Sequence, residues 1–299
     1  MCTGVRFADA AGNLYFGRNL DWCESYGEGV VITLRGASIP TQFLGSLSPE
    51  HACVGMGIVV GGVPCYFDCA NEAGLAIAGL NFPGYAQFAE APEKGAVNVA
   101  AYEFPLWVAA RFSTVAEVRK ALKDVVIVAK APSEGYGVAQ LHWLVGDGKE
   151  SIVIECQADG MHVYDDGLDV LTNQPPFLAY RECRNYMHSE TTHQSGCVDA
   201  RHPARSAARM IGFPGGYDPA SRFVRAAFLN AQYPQKRGPP MTRLFRTLEG
   251  ASMCRAARRW PTVASVHDVL LATRRPPRPI TGAPTTSRRA RACAWTITT

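Results

Sequence analysis

Residues 3–22 read TGVRFADAAGNLYFGRNLDW, with apolar and polar residues alternating on both sides of Ala11-Gly12-Asn13. This pattern predicts a β-hairpin turning near Gly12. A second strand that returns beside the first brings Arg18 and Asp21 back to the start of the chain, where Met1 and Cys2 stand. Removal of Met1, favoured by a small following side chain, would leave Cys2 with a free α-amine beside its own thiol. A thiolate is a strong nucleophile when a base activates it. An α-amine, with a pKa near 7.7–8.0, can be that base at neutral pH. In this reading Asp21 accepts from the α-amine and Arg18 favours the thiolate by its charge. Each residue taken alone reads equally well as an ordinary surface or paired charge.

Outward from the hairpin, EGVVITLRG is a short β-branched strand. The run from His51 to Gly84 predicts three strands, divided at Gly61-Gly62 and at Asn71-Glu72-Ala73-Gly74. EFPLWVAARF and TVAEVRKALKDV have helical spacing, with Ser113 or Thr114 as N-cap of the second. Residues 141–175 return to strands, turning at Gly146-Asp147-Gly148, Asp159-Gly160 and Asp165-Asp166-Gly167. Strands, then helices, then strands favour an α+β sandwich over a doubly wound parallel sheet. Beyond about residue 184 the pattern fades. It recovers as a helix from Ser221 to Asn230 and decays again after about 239.

The 299 residues, 47% hydrophobic and 19% charged, fit a globular chain with a sizeable core. Apolar runs stay short of the roughly 18–20 residues that span a bilayer, and Arg6 and Asp9 precede any long one. The expectation is a cytoplasmic protein without membrane contact. Ten scattered cysteines contain no C-x-x-C pair, so apart from Cys2 they read as buried bystanders. The net charge of +4 is unevenly spread. Residues 241–299 hold eleven Arg against Glu249 and Asp268, a balance of +9, which leaves −5 for the first 240. A basic tail can bind nucleic acid.

The strings MCTGVRF, YFGRNLDW, YFDCANEAGLAIAGLNFPGYA, EFPLWVA, LHWLVGDGKESIVIE, DVLTNQP and SRFVRAAFLNAQYPQ resemble the choloylglycine hydrolases. These comprise the bile salt hydrolases and the related penicillin V acylases, and belong to the N-terminal-nucleophile hydrolases. The resemblance is dense over 1–183 and again over about 211–236. It implies a single domain over 1–299 folded as a four-layer αββα sandwich. The implied reaction hydrolyses the amide between a bile acid and glycine or taurine through a Cys2 thioester, with the Cys2 α-amine as base. Cys2 matches the nucleophile, Arg18 and Asp21 its polar partners, Asn173 an oxyanion contributor and Arg222 a further active-site charge. Asn81 matches a position where bile salt hydrolases carry Asn and penicillin V acylases usually Tyr. Leu20, Phe82 and Leu141, near these positions, are candidates to line an apolar pocket. Neither metal nor cofactor is expected, and the family implies a homotetramer.

Residues 188–210 and 237–299 depart from the family and are rich in Arg, Ala, Pro and Cys. A GC-rich reading frame displaced by one base gives such a composition. On that reading the basic tail was never selected for nucleic acid, and neighbouring strands are left with uncovered edges. The alternatives are a penicillin V acylase and an inactive hydrolase scaffold carrying a basic binding tail.

Overall fold

A computed structural model of the chain describes residues 1–22, 24–180, 214–233 and 239–252, together with the backbone of a strand at 264–272. The first of the two divergent stretches, 188–210, lies outside the described residues, as does most of the second.

The predicted hairpin forms from β1 (Cys2–Ala8) and β2 (Leu14–Trp22). Asp9 Oδ1 ties the turn by accepting from Ala11 N and Asn13 N, both at 2.9 Å. Gly12 takes the left-handed backbone the turn requires, at φ 79°. The register sets Cys2 opposite Leu20 and Gly4 opposite Arg18. On its other side β1 pairs with β14 (Val170–Leu171), and β2 pairs with β15 (Ala264–Ala272). The result is a four-stranded sheet in the order β14-β1-β2-β15.

A second, seven-stranded sheet packs against it. Its strands are β3 (Gly29–Thr33), β6 (Cys53–Val60), β7 (Val63–Asn71), β8 (Ala76–Asn81), β11 (Leu141–Gly146), β12 (Ser151–Gln157) and β13 (Gly160–Asp165). Their order is β13-β12-β11-β8-β7-β6-β3, antiparallel throughout. Turns fall where Gly61-Gly62, Asn71–Gly74 and Asp147-Gly148 predicted them. Between β8 and β11 the chain makes a helical excursion and then returns to pair Leu141 with Asn81. That excursion holds α1 (Phe104–Arg111) and α2 (Val115–Ala121). It also holds a parallel ribbon of β9 (Val97–Ala100) and β10 (Val125–Val128), which the alternation did not predict. Thr114 caps α2 by accepting from Glu117 N at 3.2 Å, while Glu117 Oε2 accepts from Ser113 N at 2.7 Å. A small hairpin, β4 (Ile39–Thr41) and β5 (Gly45–Leu47), was also not foreseen.

Two helices cover the outer face of the four-stranded sheet. α3 (Pro219–Gln232) extends the predicted helix by two residues at each end, with Asp218 accepting from Ser221 N at 2.9 Å as its cap. α4 (Pro240–Ala251) corrects the expected decay after residue 239. Leu244, Leu248 and Ala251 are buried, Met241 and Phe245 pack partly against them, and all five fall on one helical stripe. Arginines and prolines in this stretch hid a periodicity that is present, and Pro240 suits a first helical turn.

The layers are therefore α1/α2, seven-stranded sheet, four-stranded sheet and α3/α4. This is the αββα sandwich expected. Ile77, Trp143, Ile152 and Ile154 face α1 and α2 in one core; Ala78, Leu80 and Leu144 join Val5, Phe16, Phe223 and Leu248 in the other. Among the described residues no helix is long and apolar enough to cross a membrane.

Candidate active site

Cys2 begins β1 and is buried, at 2% exposure. Side chains alternate along a strand, so Cys2 shares a face with Gly4. A Cβ on Gly4 would lie 3.2 Å from Leu144 Cδ2, so this face is pressed against the seven-stranded sheet. A larger residue at Gly4 would push Leu144 back by a few tenths of an ångström beside Cys2.

Two side chains from distant parts of the chain, Asn173 and Arg222, converge on the Cys2 backbone. The Cys2 N–H donates to Asn173 Oδ1 at 2.7 Å. Arg222 Nη2 donates to the same oxygen at 2.8 Å, and Arg222 Nη1 donates to Thr3 Oγ1 at 2.7 Å and to the Cys2 carbonyl. Asn173 Nδ2 in turn donates to the Asn81 carbonyl at 2.8 Å. Arg222 sits in the first turn of α3 with no exposure. Burial lowers its pKa, and the charges of Cys2 and Asp21 act against that shift.

The hairpin brings Asp21 to the N-terminus as its spacing predicted. With Met1 in place, the α-amine donates to the Asp21 backbone carbonyl, and Asp21 N donates to the Met1 carbonyl at 2.7 Å. With Met1 attached, the Cys2 nitrogen is an amide rather than a free amine and cannot act as a base. Arg18 projects from β2 into the space between the sheets. Its Nε lies 3.1 Å from Asp68 Oδ2, and its Nη1 donates to the Gly79 carbonyl. Sequence reasoning missed Asp68. The signal was a single acid inside the otherwise apolar strand VPCYFDCA, since such a charge is rarely buried without a partner.

Of the pocket candidates, Leu20 is half-buried opposite Cys2 and Leu141 half-buried opposite Asn81. Phe82 is fully buried and stacks between His142 and Tyr85, with centroids 4.3 and 5.4 Å away. It forms inner wall. Beside the site stands an aromatic group that the sequence did not announce. Tyr26 lies 6.1 Å from Phe67 and 6.3 Å from Tyr136, centroid to centroid, and its hydroxyl accepts from Trp22 Nε1 at 3.0 Å. Phe67 is the extra residue of a β-bulge between Gly57–Tyr66 and Met56–Asp68. A bulge of this kind re-aims side chains.

Among the described residues, four other cysteines are buried in the core. Burial pushes the Cys53 thiol up to about 12, Cys65 to about 11 and Cys156 to about 12, and raises Cys69 as well. They are poor nucleophiles for that reason.

The family model for linear amide C–N hydrolases of the choloylglycine hydrolase family matches residues 2–258. The chain belongs to the choloylglycine hydrolase family. It is 50% identical over 260 residues to a bile salt hydrolase/transferase of Bifidobacterium longum subsp. longum, covering 85% of this chain and 82% of that one. The structure is similar to that of a variant of the conjugated bile acid hydrolase from Clostridium perfringens. The TM-score is 0.77 and the identity 30%, over 88% of this chain and 83% of that one. A penicillin V acylase from Agrobacterium tumefaciens shares the fold at a TM-score of 0.69 and 17% identity, over 91% and 86% of the two chains. As a choloylglycine hydrolase, the chain is an amide-cleaving enzyme with a cysteine at the start of its first strand.

Proposed function

We propose that this choloylglycine hydrolase cleaves the amide of glycine- or taurine-conjugated bile salts, with Cys2 as nucleophile once Met1 has been removed. The observation that carries the reading is the convergence of Asn173 and Arg222 on Cys2. The liberated α-amine takes the thiol proton, and the thiolate attacks the amide carbon. The C–N bond breaks, the amine leaves with that proton, and water hydrolyses the thioester to release the bile acid. The Asn173 amide, held by Arg222, is the oxyanion donor, and Asn81 at the end of β8 is its neighbour. Arg18, held in place by Asp68, is a polar partner of the nucleophile, and Asp21 orients the amine. A steroid body needs an apolar wall, and Leu20, Leu141 and the Tyr26–Phe67–Tyr136 group offer one. Homotetramer assembly belongs to the same reading, and native mass spectrometry tests it.

Penicillin V cleavage is the second reading, and Asn81 speaks against it, because that position is usually Tyr in penicillin V acylases. Incubation with glycocholate, taurocholate and penicillin V, with detection of the released amine, separates the two. Full turnover by a Cys2→Ser variant would defeat both.

A further inference from the structure

His142 and Glu155 form a dyad with no solvent exposure between β11 and β12, behind the site. His142 Nδ1 lies 2.9 Å from Glu155 Oε1, and Nε2 lies 2.8 Å from the Thr172 carbonyl oxygen. The ring stacks on Phe82 at an interplanar angle of 5°. Glu155 is itself fixed: both its oxygens accept from Phe177 N, at 3.1 and 3.2 Å, and Oε2 accepts from Gln157 Nε2 at 3.0 Å. Thr172 immediately precedes Asn173, whose side chain receives Cys2 N.

The proton count decides the chemistry. A carbonyl oxygen only accepts, so Nε2 must carry a hydrogen. Nδ1 faces Oε1 of a carboxyl whose oxygens already accept from the Phe177 and Gln157 N–H groups, so it meets an acceptor as well. Nδ1 therefore carries a hydrogen as well. Burial and the Glu155 charge push the Cys156 thiol up to about 12 and raise the Tyr164 phenol, so both stay neutral around Glu155.

We infer that His142 is a positioning residue: a buried imidazolium, paired with Glu155, that holds the Thr172 carbonyl and thereby sets the Asn173 amide at Cys2. Charge-assisted bonds are shorter and about twice as strong as neutral ones, which suits a fixed strut. The opposite side of the same backbone is held by the Tyr180 hydroxyl, 2.9 Å from the Asn173 carbonyl and 2.8 Å from that of Gln174. The inference rests on the proposed role of Asn173.

Nitrogen-15 NMR of histidine-labelled enzyme is the first test. Both His142 ring nitrogens should carry hydrogens at pH 7, and an unprotonated Nδ1 there would overturn the ion pair. Glu155→Gln should remove the proton from Nδ1 only, leaving a neutral Nε2–H on Thr172, and should lower kcat, though by less than His142→Phe does. His142→Phe breaks the strut: kcat for amine release should fall about 10- to 100-fold, with KM changed less than threefold. Alkylation of Cys2 by iodoacetamide should keep its rate in that variant. Unchanged kcat in a folded His142→Phe enzyme would refute the positioning role. Should His142→Phe not fold, His142→Gln replaces it; one amide can still donate to Thr172, and it should recover more kcat than any apolar residue. Asn173→Ala with full activity would defeat the site reading instead, and would leave the NMR result standing.

Discussion

Arg18 Nε and Asp68 Oδ2 lie 3.1 Å apart with side-chain exposures of 2% and 1%, an ion pair almost wholly removed from water between the two sheets. Removing one member of such a pair strands the other charge and costs about 3–5 kcal/mol. Asp68→Ala should therefore lower the thermal midpoint by many degrees. Replacing both residues with apolar side chains of similar size should cost much less. A denaturant series on the two single variants and the double variant gives the coupling. Strict additivity would show that the pair does not hold Arg18 in place.

Asn173 spends Oδ1 on Cys2 N and Arg222 Nη2, and one Nδ2 hydrogen on Asn81, which leaves its second amide hydrogen to donate. Loss of one oxyanion donor typically lowers the rate by about 10²–10³. Asn173→Ala should fall in that range, read as kcat for amine release, with the fold retained by circular dichroism. Arg222→Lys should also be impaired, because an ammonium cannot reach Asn173, Thr3 and the Cys2 carbonyl from one planar fork.

The hairpin was legible because both of its determinants are local: alternation in β1 and β2, and a turn at Gly12. It carried Cys2, Arg18 and Asp21 to one end of the molecule. Thr114 was legible as a cap for the same reason. Asp68, His142 and Glu155 were not, since each looks like a lone polar residue in an apolar strand until its partner is known. The pairing of β8 with β11 also spans the whole helical excursion between them, so no local pattern reports it. Asn173 and Arg222 were legible through family resemblance. Their shared grip on Cys2 comes from the packing of α3 on the four-stranded sheet. The helix at 240–251 had a readable stripe that its composition obscured.

Asp166 gives a pH dependence of definite sign. It is buried between β13 and β14, where burial and the nearby Asp169 charge push its carboxyl up to about 8, against donors from Leu168, Asp169 and Val170. A folded-state value above the unfolded one means that the native state binds the proton more tightly. The stability Asp166 contributes is full below about pH 4 and is lost as pH rises towards 8. One proton limits the slope to about 1.4 kcal/mol per pH unit. Asp166→Asn should lower the midpoint overall, because its amide replaces one acceptor, yet flatten its fall between pH 5 and 8. An unchanged slope in scanning calorimetry would place the titration elsewhere.

The last prediction concerns the divergent end of the chain. Helix 240–251, inside the stretch whose composition departs from the family, is seated in the core through Leu244, Leu248 and Ala251. The strand at 264–272 pairs along the whole of β2, from Leu14 to Trp22, and so covers an edge that the sequence led us to expect open. An uncovered edge of that length beside Arg18 and Asp21 invites intermolecular pairing. Deleting residues 273–299 leaves every described element in place and should keep the midpoint and the amine release close to those of the full chain. Deleting residues 253–299 strips the strand from β2 and should give an aggregating protein with little amine release. Light scattering and the amide assay on both truncations test this. Equal behaviour of the two would mean that the strand at 264–272 contributes nothing to the sheet that carries Cys2.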